Sequence, residues 1–305
     1  MIFTQADQRH EIFEELKKYR EFYPFQRAFG QVENITIHND LYSGVWCEYS
    51  ADLVEGVVWD LELVEVGLSK LNISKETDVL VDLCCGEGRL ARHLANKSYR
   101  LKGIDYSADQ INRARLLDSD NIVGEDSWVV SDLLDKQSVK SFSSMWDSVI
   151  AVTSAASVNC FTSHDQLSSF LYNIRTCLGK NGPRFLLLPV FDDEAVSNFE
   201  KTFKGNILCH PFKSQTNKDM LAWISLLYDK ESKLLMQPSI TALTDSEGEL
   251  KYEFVFSKDR IWTTTEVAGI AADVGWTKEF ILPSNVVSGG ADQWPFALLV
   301  LKNEF

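Results

Sequence analysis

The chain has 305 residues, 45% apolar and 24% charged, which is typical of a globular protein whose core needs no disulfide or metal for stability. Its formal net charge of −14 argues against a nucleic acid as substrate, because phosphate binding requires a basic surface. The negative charge either serves solubility alone or attracts a cationic small molecule. There is no apolar signal segment, no run approaching the ~18 apolar residues of a membrane span and no C-x-x-C pair. We therefore expect a cytoplasmic protein with reduced thiols, no membrane contact and no metal site.

The first part of the chain is predicted to be largely helical. Apolar residues from Ile12 to Phe22 fall on one helical face. Residues 23–52 are aromatic-rich and are predicted to be irregular, and a second helix is predicted over about 54–71. We treat residues 1–74 as an N-terminal helical cover.

Strands and helices then alternate. The patterns predict strands at 78–83, 100–104, 127–131, 146–152 and 184–190, and helices at 88–97, 107–117, 134–142 and 164–178. Alternation at this spacing indicates a parallel sheet with helices on both faces, an α/β fold.

The pattern changes after residue 195. Three β segments at 219–228, 233–243 and 249–257 are typical of antiparallel hairpins, and Pro238 suggests an edge strand or a bulge in the second. A helix is predicted to start at Thr264. A strand at 277–282, a loop at Ser288–Gly290 and a strand at 296–302 follow.

The segment from Val79 to Leu94 carries the strongest functional signal. An apolar run that contains Asp82 passes through Gly86-x-Gly88 into a helix, and the next strand ends in Asp105. A glycine turn lets a ligand approach the backbone closely, and a carboxylate at the end of the next strand can bind both hydroxyls of a ribose. The sequence therefore predicts a site for a cofactor that contains a nucleoside.

Two classes of cofactor fit this spacing. Ala91 completes the G-x-G-x-x-G/A pattern of dinucleotide-binding proteins, so by spacing alone NAD remains possible. Glu87 and Asp82, however, place negative charge near the position of a pyrophosphate. Both acidic residues suit a cofactor that carries an ammonium and a sulfonium.

The run Asp82-Leu83-Cys84-Cys85-Gly86-Glu87-Gly88 resembles the first motif of the class I S-adenosylmethionine-dependent methyltransferases. The resemblance implies a seven-stranded Rossmann-like sheet with an antiparallel last strand, built from residues 75–194 and 261–305. The β segments between them, residues 195–260, are similar in arrangement to the substrate lid of the glycine, sarcosine and amino-sugar N-methyltransferases.

The resemblance also assigns roles to residues. Asp82 would hold the methionine end of the cofactor, Cys84, Gly86 and Gly88 would form the turn against it, and Asp105 would bind the ribose. Tyr106 would lie on the adenine face, with Asp132 and the backbone N–H of Leu133 at its edge. The segment Trp146-Asp147-Ser148 leads into strand four, so Val152, within residues 151–154, would border the sulfonium. Trp46 would either contact the sulfonium by cation–π attraction or simply pack.

Asp192 and Asp193 follow strand five, where members of the family contact the acceptor. We expect Asp192, with His210 from the lid, to orient the acceptor and take up its proton, unless the pair of aspartates is only a solvated turn.

These residues favour a methyltransferase that uses S-adenosylmethionine and acts on a small molecule, at nitrogen rather than oxygen. The alternatives are an RNA or protein methyltransferase, disfavoured by the acidity and by the lack of an N-P-P-Y motif, and a non-catalytic S-adenosylmethionine-binding protein. An NAD-dependent oxidoreductase is a third.

Overall fold

The computed structural model describes residues 5–32, 35–54, 56–143, 146, 148–154, 157–214, 219–244, 248–287 and 295–304. Asp147 and the predicted Ser288–Gly290 loop lie outside these residues. The chain divides into a smaller unit of residues 1–55 and 198–259 and a larger unit of residues 56–197 and 260–305. Each unit combines two stretches that are distant in sequence.

Across the described residues the strands are β1 (Ile35–His38), β2 (Val79–Leu83), β3 (Arg100–Asp105), β4 (Trp128–Val130), β5 (Val149–Val152), β6 (Phe185–Phe191), β7 (Lys204–Lys213), β8 (Asp219–Asp229), β9 (Leu234–Thr244), β10 (Leu250–Arg260), β11 (Trp276–Pro283) and β12 (Phe296–Asn303). The α-helices are α1 (Gln5–Lys17), α2 (Tyr23–Gln31), α3 (Val45–Leu53), α4 (Trp59–Lys70), α5 (Arg89–Ala95), α6 (Ala108–Leu117), α7 (Lys136–Ser143), α8 (His164–Cys177), α9 (Asp193–Val196), α10 (Phe199–Thr202) and α11 (Thr264–Asp273).

The larger unit contains a seven-stranded sheet in the order β11-β12-β6-β5-β2-β3-β4. Neighbours from β4 to β6 pair in parallel, whereas β12 runs antiparallel to both β6 and β11. Every residue of β2 and β5 is buried, as expected for central parallel strands that are covered on both faces. The predicted Rossmann-like fold with an antiparallel last strand is confirmed.

The smaller unit contains a five-stranded sheet in the order β1-β10-β9-β8-β7. β1 pairs in parallel with β10, and β8 runs antiparallel to β7 and β9. Neighbouring residues of a strand point to opposite faces. Phe254 accordingly packs with apolar residues of α1 and α2, while Val255 packs with Trp46 and Tyr49 of α3. This sheet is therefore covered by helices on both faces.

Three local predictions for the smaller unit are wrong. Residues 23–52 are not irregular, because they form α2, β1 and α3. The strand β7 was not predicted, since Ile207, Leu208 and Cys209 are all exposed and give no alternating pattern. Pro238 lies in β9, which is flanked on both sides and is not an edge strand.

The β9 strand accommodates Pro238 by a break in its ladder. Pairing with β8 runs to Ile224–Ser239 and resumes at Leu227–Met236 in the same register, so there is no bulge. A proline cannot donate a backbone hydrogen bond, and the interruption falls where that bond would lie.

No helix among the described residues combines the length and the apolar character needed to cross a membrane.

Candidate cofactor and active site

The candidate site lies at the carboxyl end of β2, where the strand order of the larger sheet reverses. β3 and β4 lie in chain order on one side of β2, and β5 and β6 lie in chain order on its other side. In open α/β sheets, ligands bind outside the carboxyl ends of the strands at such a switch point. Residues 84–88 connect β2 to α5 here, and we call them the cofactor turn.

Hydrogen bonds tie the cofactor turn to the end of β3. The N–H of Cys85 donates to the carbonyl of Ile104 at 2.9 Å, and the N–H of Gly86 donates to Oδ2 of Asp105 at 2.9 Å. The other oxygen of Asp105 accepts from the N–H of Ser107 at 2.9 Å. A carboxylate oxygen can accept more than one hydrogen bond, so binding the turn is compatible with binding hydroxyl groups as well.

Three residues of the cofactor turn adopt left-handed backbone conformations. The φ angles are +52° at Cys84, +55° at Gly86 and +78° at Gly88. Glycine adopts such angles without steric cost, whereas a residue with a Cβ does not. The unusual member is therefore Cys84, which holds a strained conformation beside the predicted ligand.

Asp82, near the end of β2, is completely buried. Its Oδ2 accepts from the N–H of Ala91 at 3.1 Å, and its Oδ1 has no hydrogen-bond partner among the described residues. Burial raises the pKa of Asp82 to about 8, against the opposing effects of the Ala91 hydrogen bond and the Arg89 charge. A buried carboxyl group with a vacant oxygen fits a ligand that brings a cation or a hydrogen-bond donor.

Two further buried groups at this edge lack partners. Oγ of Ser131, directly after β4, and Oγ1 of Thr153, directly after β5, are buried and make no hydrogen bond within the described part of the chain. Buried polar groups are normally paired, so such exceptions call for an explanation. Together with Asp82 they provide hydrogen-bonding capacity that a polar cofactor would use.

Buried and partly buried ion pairs hold the start of α5. Nη1 and Nη2 of Arg89 donate to the two carboxylate oxygens of the completely buried Asp60, at 2.9 and 2.6 Å. Nη1 also donates to the carbonyl of Val57 at 2.6 Å. The carboxylate of Glu87 binds Nε of Arg113 at 2.6 Å. The charge of Glu87 is thus already balanced, and it is a weaker argument against a pyrophosphate than the sequence suggested.

The other predicted cofactor residues lie at the same edge of the larger unit. Tyr106 follows Asp105 and is 49% exposed. Asp132 is exposed and its Oδ1 accepts from the N–H of Leu134 at 2.8 Å, and Leu133 is buried. Val152 is completely buried at the end of β5.

Trp46 and His210 belong to the smaller unit. Trp46 is completely buried and packs edge-on against Tyr49, with ring centroids 5.6 Å apart. Nε2 of His210 lies 2.9 Å from Oδ2 of Asp52, and both side chains are partly exposed. Tyr49 also contacts His210, edge-on at 5.4 Å.

Asp192 and Asp193 differ although they are adjacent. Oδ1 of Asp192 accepts from the N–H of Glu194 at 3.0 Å, and its side chain is half-buried. Oδ2 of Asp193 accepts from the hydroxyls of Thr264 and Thr265, at 2.7 and 2.8 Å. Burial opposes ionisation of Asp193, but hydrogen bonds from the threonines at the start of α11 outweigh it and lower its pKa. Asp193 is therefore engaged in capping α11.

The sequence analysis placed Thr153 within residues 151–154, but it did not detect the unpaired hydroxyls of Thr153 and Ser131 or the Asp60–Arg89 pair. Serines and threonines at strand ends are common, and residues 60 and 89 are joined only by the folded chain. An isolated buried polar atom becomes visible only when its surroundings are known.

Part of the larger unit resembles a known protein family. Residues 80–182 match the family model described as a methyltransferase domain. The matched residues include the cofactor turn, Asp105, Asp132 and Val152.

Solved structures share the fold of the chain at low sequence identity. An S-adenosylmethionine-dependent methyltransferase from Clostridium acetobutylicum has a TM-score of 0.61 and 11% identity, covering 84% of this chain and 98% of that one. The sugar N-methyltransferase KedS8 from Streptoalloteichus has 0.62 and 14%, covering 90% and 98%. CalS10, an amino pentose methyltransferase from Micromonospora echinaspora, has 0.54 and 14%, covering 88% and 100%. None of the curated proteins matches this chain.

The left-handed conformation of Cys84 generates a prediction about stability. Cys84→Val should be less stable than Cys84→Gly by about 1–2 kcal/mol, because a β-branched residue resists a positive φ that glycine adopts freely. Urea unfolding of the two variants and of Cys84→Ala measures the difference, and Ala should be more stable than Val. Equal stability of the Val and Gly variants would contradict the strain.

The raised pKa of Asp82 generates a prediction about pH. A carboxyl group with a pKa near 8 in the folded state holds its proton there, while the unfolded chain loses it near pH 4. The stabilising contribution of this proton is complete below about pH 4 and is lost as the pH rises to about 8.

Asp82→Asn carries no such proton. Its free energy of unfolding, compared with that of the unmodified protein, should therefore rise between pH 5 and pH 8, by more than about 1 kcal/mol. Denaturant unfolding of both proteins across this range provides the measurement. A difference independent of pH would mean that Asp82 is ionised throughout.

Proposed function

We propose that this protein transfers a methyl group from S-adenosylmethionine to a nitrogen of a small molecule. The main support for a cofactor site is the hydrogen bond between the cofactor turn and Asp105. The vacant oxygen of Asp82 and the unpaired hydroxyls of Ser131 and Thr153 lie at the same edge. This arrangement suits a ligand with a nucleoside at one end and a charged amino acid at the other.

Each end of the cofactor has residues that suit it. Asp82 would hold the ammonium of the methionine part, and Asp105 the ribose hydroxyls. Asp132, the N–H of Leu133 and the exposed ring of Tyr106 would bind adenine, and Val152 would border the sulfonium. When bound, the cofactor supplies a methyl group on a positively charged sulfur, so the protein has only to align the acceptor and exclude water.

The acceptor class rests on charge and on structural likeness. A net charge of −14 favours cationic small molecules and disfavours nucleic acids. KedS8, a sugar N-methyltransferase, and CalS10, an amino pentose methyltransferase, are similar in fold over 90% and 88% of this chain, well beyond the matched residues 80–182. We therefore propose an amine acceptor of the amino-sugar type, and that the β segments within residues 195–260 serve as its lid.

The cofactor and the activity are tested separately. Calorimetry with S-adenosylhomocysteine and with NAD should show binding of the first alone. Incubation with S-adenosylmethionine and a panel of amino sugars and small amines should give a product heavier by one methyl group, detected by mass spectrometry. Methylation of RNA or protein in parallel reactions would favour the alternative substrates, and binding without any product would indicate a non-catalytic binding protein.

Asp105 should contribute strongly to cofactor affinity. Asp105→Ala removes hydrogen bonds to the ribose that contribute roughly 1.5–3 kcal/mol each, so S-adenosylhomocysteine should bind at least about tenfold more weakly. Asp109→Ala removes an exposed carboxylate four residues away and should bind normally. Calorimetry on both variants, with thermal unfolding to verify folding, makes the comparison. Unchanged affinity of Asp105→Ala would remove Asp105 from the site.

Asp192 is proposed, with His210, to orient the acceptor and take up its proton. Asp192→Asn should lower kcat by about 10²–10⁴-fold and leave the affinity for S-adenosylhomocysteine unaltered. Asp193→Asn is the matched control, because its contacts with α11 predict a loss of stability and not of turnover.

A decrease below about threefold for Asp192→Asn would remove the proposed base. The amine would then lose its proton to water before binding, and the dependence of the rate on pH would follow the pKa of the acceptor. The assignment as a methyltransferase does not depend on this outcome.

A further inference from the structure

The indole ring of Trp128 lies against two glycines of the larger unit. Trp128 starts β4, pairs with Gly103 of β3 and is 2% exposed. A Cβ built on Gly103 would lie 2.5 Å from Cζ3 and 2.6 Å from Cε3 of the indole. A Cβ built on Gly88 would be in severe conflict with Cη2 and Cζ3. Both glycines therefore face the six-membered part of the ring.

This contact changes the interpretation of Gly88. The sequence suggested that both glycines of Gly86-x-Gly88 are needed for close approach of the cofactor. A Cβ on Gly86 would meet no atom closer than 3.7 Å, whereas the space beside Gly88 is filled by Trp128. The missing side chain of Gly88 thus makes room for a protein side chain behind the turn.

The position of Trp128 is fixed by its own hydrogen bonds. Its Nε1 donates to Oδ2 of Asp118 at 3.3 Å, and its carbonyl accepts from Arg115 at 2.8 Å. Asp118 is buried at the end of α6 and also accepts from the N–H groups of residues 122, 123 and 124. The indole is therefore held through its Nε1, and the backbone of Trp128 through its carbonyl.

The position of Gly88 in turn sets the start of α5. Its N–H donates to the carbonyl of Cys85 at 2.9 Å, and its carbonyl accepts from the N–H of Arg92 at 2.9 Å. One turn into the helix, the N–H of Ala91 reaches Asp82. A displacement of Gly88 would therefore move both the cofactor turn and the donor that orients Asp82.

We propose that Trp128 is a positioning residue for the cofactor, although it would not touch the cofactor itself. Its ring supports Gly88 and so holds the cofactor turn in the position in which S-adenosylmethionine binds. The proposal rests on the assignment of the cofactor and extends it to a residue outside the binding motif. Its consequence is that the affinity for the cofactor depends on the size of the side chain at position 128.

The first test compares two tryptophans. Trp128→Phe removes the part of the ring that meets the glycines and should weaken the binding of S-adenosylhomocysteine by about tenfold in calorimetry. Trp276→Phe is the matched control, because Trp276 is also buried in the larger unit and donates Nε1 to a carbonyl, that of Leu171 at 3.0 Å. Trp276→Phe should lower the thermal midpoint similarly and leave the affinity unaltered.

The second test changes the other side of the contact. Gly103 does not have a positive φ, so Gly103→Ala is compatible with the backbone. Its methyl group conflicts with the indole and also lies 3.1 Å from Sγ of Cys85, and a smaller residue at position 128 relieves only the first of these contacts. It should weaken binding, and the double variant Gly103→Ala/Trp128→Phe should bind more tightly than Gly103→Ala alone, because phenylalanine leaves room for the methyl group. KM for the acceptor should stay unchanged in all variants.

The outcomes are distinct. Unaltered affinity of both Trp128→Phe and Gly103→Ala would overturn the proposal, as would an equal loss in Trp276→Phe, which would show a general effect of stability. If Trp128→Phe does not fold, the result for Gly103→Ala decides. Failure of the unmodified protein to bind S-adenosylhomocysteine would overturn the proposed function itself, and the role of Trp128 with it.

Discussion

The hydrogen bonds between the cofactor turn and the end of β3 are the constraint on which the rest of the site depends. They join Cys85 to the backbone of Ile104 and Gly86 to the side chain of Asp105. A glycine-containing turn has many accessible conformations when it is free, and ordering it costs conformational entropy. Because Asp105 binds the turn before any ligand arrives, much of that cost is met during folding and not during binding.

Electrostatics at this edge favour a cation. The charges of Asp60 and Asp105 raise the pKa of Asp82, and the positive charge of Arg89 lowers it. Asp60 binds both terminal nitrogens of Arg89, so it largely balances the charge of the guanidinium. Burial keeps Asp82 protonated up to about pH 8, which avoids a bare buried anion. A cationic ligand would reverse that balance, since it stabilises the ionised form.

The sequence predicted the larger unit well for a physical reason. Central parallel strands are buried on both faces, so β5 and β6 are continuous apolar runs and β2 is interrupted only by Asp82. The smaller unit lacks that signal. β7 is an edge strand with few buried residues, and β1 has only four residues and pairs with a distant strand.

The same distinction applies to the site. The motif around Asp82 and Gly88 is contiguous in sequence, whereas Trp128 and Asp60 reach it only through tertiary packing. A pattern search along the chain detects the first kind of residue and has no access to the second. Glu87 shows a different error. The sequence suggested an uncompensated negative charge, but Glu87 is paired with Arg113.

The parallel pairing of β1 with β10 has a consequence for the order in which the chain folds. Ile35 pairs with Tyr252, so more than 200 residues separate the partners. At typical rates of synthesis of about 5–20 residues per second, residues 35–38 would wait about 10–40 s on the ribosome for their partner strand. The aromatic residues Phe22, Phe25 and Phe29, which are buried in the finished unit, lack the β10 residue Phe254 in their cluster during that interval. Chaperone binding to the nascent N-terminal helices is the expected cellular counterpart of this topology.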